Sequence, residues 1–61
     1  MLEVGKTYQY NDWFFVVVRE ASTTDGVEVL ALTDFTWTRR AGQIVVVHHQ
    51  NAVSAIAQEL A

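Results

Sequence analysis

The chain has 61 residues, 51% of them hydrophobic, a net charge of −3 and no cysteine. This describes one small domain near the lower size limit for folding without staples, and it excludes a disordered chain, a disulfide scaffold and a thiolate metal site. The four basic residues, Lys6, Arg19, Arg39 and Arg40, are spread out and make no concentrated footprint for duplex nucleic acid.

Residues 1–4 are acidic and lack the hydrophobic run of a signal peptide, and no window approaches the roughly 18–20 apolar residues of a membrane span. The expectation is a cytoplasmic protein with no membrane partner. Residues 2–10 then alternate. Leu2, Val4, Lys6, Tyr8 and Tyr10 share one side and Glu3, Gly5, Thr7 and Gln9 the other, which predicts a strand with one wet face and a bend or bulge at Gly5. Asn11-Asp12 tolerates positive φ and predicts a tight hairpin into Trp13.

The run Trp13-Phe14-Phe15-Val16-Val17-Val18 is aromatic and β-branched throughout, so it predicts a strand over 13–20. Side chains alternate across a strand, which puts Trp13, Phe15 and Val17 on one side and Phe14, Val16 and Val18 on the other. Both sides are apolar and both need cover. Asp25-Gly26 ends a polar cluster and predicts a turn in which glycine supplies left-handed backbone. A third strand is expected over 27–38, with Asp34 marking a bend, and a turn at Arg39-Arg40-Ala41-Gly42 leads to a fourth over 43–48. Asn51 is placed to cap a helix over 52–61 whose apolar stripe is Val53, Ile56, Ala57 and Leu60.

Short connections make neighbouring strands antiparallel. One helix of about ten residues covers one face of such a sheet and leaves the other to curling or to a second subunit. Val4-Gly5 with Tyr8 following, the 13–18 run, Asp25-Gly26 between strands and the late 44–47 run together resemble the small SH3-like barrels, over about two-thirds of the chain. That resemblance implies a binding module rather than a catalyst. The expected fold is mainly β, in the order β-β-β-β-α. It is a curled four-stranded antiparallel meander, SH3-like or half-barrel, with one C-terminal helix packed on it.

Residues able to carry chemistry are few. His48 and His49 are sequence neighbours, so a regular strand points them apart and they cannot chelate one metal; a polar strand end is the favoured reading, and no metal or cofactor is expected. Asp12 and Asp25 are accounted for by turn chemistry. No nucleophile, histidine and carboxylate stand in a known spacing and no glycine loop cradles phosphate, so no enzymatic activity is expected. Trp37, Arg39 and Arg40, with Tyr8 and Tyr10, form the set expected to contact a partner, since Trp, Tyr and Arg dominate binding hot spots. The resulting expectation is a homo-oligomeric protein-interaction module acting as adaptor or inhibitor, of the sort used as phage accessory or anti-defence proteins. The alternative is a single-stranded nucleic-acid binder in which the same aromatics stack bases and the arginines neutralise phosphate.

Overall fold

A computed structural model describes residues 1–60. Five strands form one antiparallel sheet: β1 (Thr7–Tyr10), β2 (Trp13–Glu20), β3 (Gly26–Ala31), β4 (Ile44–His48) and β5 (Gln58–Glu59), with one short helix, α1 (Ala52–Ile56), between the last two. The spatial order is β4-β3-β2-β1-β5, and the sheet is not closed into a barrel.

The first hairpin forms as its sequence dictates. Tyr10 pairs with Trp13 across Asn11-Asp12, and Asn11 takes the positive φ of 53° that the tight turn requires. Along β2 the alternation is complete: Trp13, Phe15 and Val17 are buried, while Phe14, Val16 and Val18 are half-buried. A bulge between Val17 and Arg19 shifts the register against β3. Val27, Val29 and Ala31 of β3 and Val45 and Val47 of β4 extend the same buried face, completed by Leu2, Tyr8 and Val53. Trp13 and Phe15 lie 4.5 Å apart at the centre of this core.

Four expectations are corrected. Residues 2–10 are not one strand: Lys6 N donates to Glu3 O, a turn in which Gly5 has φ 89°, so the strand begins at Thr7 and Leu2 reaches the core by another route. Gly26 is not a left-handed turn residue. It opens β3, where the backbone of Val47 and His48 comes too close to admit a side chain. The third strand stops at Ala31, and residues 32–43 form a loop.

The helix also is half its expected length. Asn51 caps it as expected, its Oδ1 accepting from Val53 N at 2.8 Å, but Ala57 returns to extended backbone. Gln58 and Glu59 then pair with Gln9 and Tyr8, and Leu60 N donates to Thr7 O. Five more helical residues would have been marginal in isolation; the strand instead satisfies backbone groups along the edge of β1. Ile56, expected on the buried stripe, is exposed, and the expected end of the helix at Ala61 lies outside the described residues. Glu59 consequently faces Lys6, whose Nζ is 3.3 Å from its Oε2.

One face of the sheet is thus a core and the other is open. On the open face Val16 opposes Leu30, which opposes Ile44; Phe14 lies beside Leu32, and Val46 opposes Glu28. Among the described residues Arg19 and Glu28 make the one ion pair that crosses it.

Candidate functional site

The loop 32–43 carries three of the expected contact residues and is built as a rigid arm. Phe35 N and Thr36 N both donate to Arg39 O, and Arg39 N returns a bond to Thr36, closing a tight turn around Trp37. Asp34 fastens the base: its Oδ1 accepts from Ala41 N at 2.8 Å and its Oδ2 lies 3.3 Å from Arg40 Nε. Phe35 folds back so that its ring stacks on Trp13 at 4.8 Å. Trp37 is left at the tip, 86% exposed. Asp34 therefore anchors the loop and does not bend a continuing strand.

The Ala41 N–H, and after it the positive charge of Arg40, hold the Asp34 carboxyl below its ordinary value of 3.8. A depressed carboxyl contributes order that is complete above its unfolded value and is lost as pH falls through its folded value. The Ala41 amide proton is therefore expected to shift with an inflection below pH 3.8. In Asp34→Asn that inflection should vanish; an unchanged titration curve for Ala41 in the variant would show that another group anchors the loop.

Tyr8 and Tyr10 do not join Trp37. Tyr8 is 3% exposed, its ring stacked on Phe15 at 5.9 Å and its hydroxyl accepting from Glu3 N while donating to Met1 O. It is a core residue whose phenol fastens the N-terminal segment, so it is not presented to a partner. Period-two alternation placed Tyr8 on the right face of β1 without revealing that this face is the inner one. Tyr10 is half-buried and meets Phe35 edge-on at 6.3 Å, at the root of the loop.

Beside the loop runs a groove of about 290 Å³ lined by Trp13, Phe35, Arg39, four consecutive residues of β4 (45–48), Asn51 and Val53. Side chains alternate across a strand, so a groove touching four successive residues follows the edge of β4 and not one of its faces. The floor is aromatic and aliphatic, and Arg39 stands at the rim. Among the described residues Lys6, Arg19 and Arg40 each have a carboxylate partner and Arg39 has none. Trp13 is buried in the floor with its Nε1–H unpartnered. A second cleft, of about 280 Å³, lies at the opposite edge between Gln9, Tyr10, Asn11, Ile56 and Gln58 and has no charged lining.

The histidines diverge as the alternation requires. His48 Nδ1 is 3.0 Å from Thr24 Oγ1, and His49 Nε2 is 3.5 Å from Glu20 Oε1. The Thr24–His48 contact was not visible in the sequence; it ties the polar turn before β3 to the end of β4. Asp12 and Asp25 sit in turns at opposite ends of β2. Among the described residues no three metal-ligating side chains converge, and no helix is long and apolar enough to cross a membrane. Comparison with protein-family models, with curated proteins and with solved structures finds no match for this chain.

Proposed function

We propose that this chain is a small protein-interaction module that self-associates and works by occupying a partner's surface, as adaptor or inhibitor, in the manner of the SH3-like domains its patterning resembles. The observation that carries this reading is the open apolar face of the sheet. Phe14, Val16, Leu30, Leu32, Ile44 and Val46 form one surface with a single ion pair across it, the kind of patch that marks an interaction site. The arm bearing Trp37 and Arg39 adds an exposed aromatic and a cation elsewhere on the surface, residue types enriched in binding hot spots. A phage-type accessory role in the cytoplasm is the setting we favour for a module of this size.

Light scattering on the eluting protein tests self-association. A mass that exceeds the 6.9 kDa of one chain is expected, falling toward it in Leu30→Lys, which puts a charge at the centre of the open face. A one-chain mass at every concentration would overturn the oligomeric part of the proposal. The nucleic-acid alternative is weakened because Tyr8 lies in the core and Tyr10 against Phe35, which leaves Trp37 as the one free stacking surface of the set. Retention of single-stranded oligonucleotide that falls steeply with salt would revive it.

A further inference from the structure

The free edge of β4 has a defined donor and acceptor pattern. Ala31 N donates to Gln43 O and, at the other end of the pair, His49 N donates to Asp25 O. Antiparallel ladders alternate bonded and non-bonded pairs, so Val45 and Val47 turn their backbone groups toward β3 while Ile44, Val46 and His48 turn theirs outward. The His48 carbonyl is taken by Asn51 N and Ser54 Oγ. By that alternation the N–H and C=O of Ile44 and Val46 face away from β3, and among the described residues no turn, loop or cap bond takes them. Two donors and two acceptors are therefore left at a spacing of two residues, the repeat of an extended chain.

Natural edge strands are protected by lysine, proline, bulges or a covering element. β4 (Ile-Val-Val-Val-His) contains no lysine, proline or carboxylate, and Ile44 and Val46 are 51% and 43% exposed. Beside this edge lies the apolar groove with the unpaired Arg39 at its rim. The geometry points to β4 as an acceptor edge for strand addition: an extended segment of a partner protein pairs with Ile44 and Val46, sets an apolar side chain against Trp13, Phe35 and Val53, and places a carboxylate on Arg39. This rests on the reading of the chain as a protein-binding module and names the kind of partner it takes.

Charge selects the occupant. A second copy docking its own β4 here brings a second Arg39 to the shared groove and no carboxylate from β4 itself. An acidic, β-branched segment supplies the missing counter-charge, and a charge-assisted bond to Arg39 is stronger than a neutral one. Strand addition also explains the division of labour, with backbone bonds giving affinity and alternate side chains giving selectivity.

The test uses a blocked heptapeptide, acetyl-Thr-Val-Glu-Val-Glu-Val-Thr-amide, titrated into the full chain labelled with nitrogen-15. Slowed hydrogen exchange at the Ile44 and Val46 amides is expected. Affinity should drop about tenfold or more in Arg39→Glu, and with a peptide N-methylated at alternate residues, since a tenfold change corresponds to one good interaction lost. Binding that ignores N-methylation, shifts confined to the open face, or no binding at millimolar peptide would each overturn the inference. Slowed Ile44 and Val46 exchange that appears without peptide as protein concentration rises would mean a second copy holds the edge, and would also overturn it. Self-association by light scattering with both amides still exchanging freely in the presence of millimolar peptide sinks strand addition at β4 and leaves the proposed function standing.

Discussion

Phe15→Ala is expected to remove a third or more of the protein's stability. Phe15 is fully buried, between Trp13 at 4.5 Å and Tyr8 at 5.9 Å, and its removal leaves a hole that three strands and their hairpin connections cannot close over. Truncation of a buried phenylalanine costs about 3–5 kcal/mol. A chain of this length has roughly 3–9 kcal/mol in total, so the loss takes a third of it or more. Phe14→Ala, one residue away on the open face, is expected to cost clearly less because its ring is only partly buried. Urea unfolding of the two variants side by side checks the facing of the whole sheet; equal losses would mean that the outer face is as closely packed as the inner one.

Gly26→Ala should do comparable damage by the opposite route. A methyl group there would stand 2.5 Å from the carbonyl oxygen of Val47 and 2.9 Å from the Cα of His48. Both are backbone atoms and neither can rotate away, so β3 and β4 must separate at their paired ends. Overpacking of this kind costs about 1–3 kcal/mol and occasionally more, and here the upper end is expected because the strain falls on a ladder. The Thr24–His48 and Ser54–His48 bonds lie at the same point and should be lost with it. A thermal melt within 2 °C of the parent protein would show that the two strands have slack there. Gly42→Ala is the control: its φ of 88° makes a side chain strained, but nothing stands within 4 Å, so about 1–2 kcal/mol is expected.

What the sequence revealed and hid follows from the range of the forces involved. The β2 run fixes its own two faces, because nothing but a strand places six aromatic and β-branched residues so favourably. The Asn11-Asp12 hairpin and the Asn51 cap are equally local, each settled by one side chain and its nearest backbone. β5 was hidden because Gln58-Glu59 has no pattern of its own; what makes it a strand is the vacant edge of β1. The 32–43 loop was hidden because Phe35 and Trp37 continue the parity of Val29 and Ala31, and only the stacking of Phe35 on Trp13 and the anchoring of Asp34 by Ala41 break the extension.

The candidate site divides in the same way. The composition of Trp37, Arg39 and Arg40 marked the loop as a contact surface, yet only Arg39 among them lines the groove shared with β2 and β4, while Arg40 turns back on Asp34. The β4 groove has a signal in the chain itself. The last strand of a meander lies at an edge, and residues 44–47 carry no charge to protect one.

The chain's connectivity also sets an order of assembly. β1, β2 and β3 each pair with the strand that follows, whereas β5 must find β1 across about fifty residues, a closure whose entropic cost precedes its few contacts. With no proline in the chain there is no slow isomerisation to delay it. The last strand should therefore dock late and detach first, so that the Leu60 amide exchanges with deuterium well ahead of Val29.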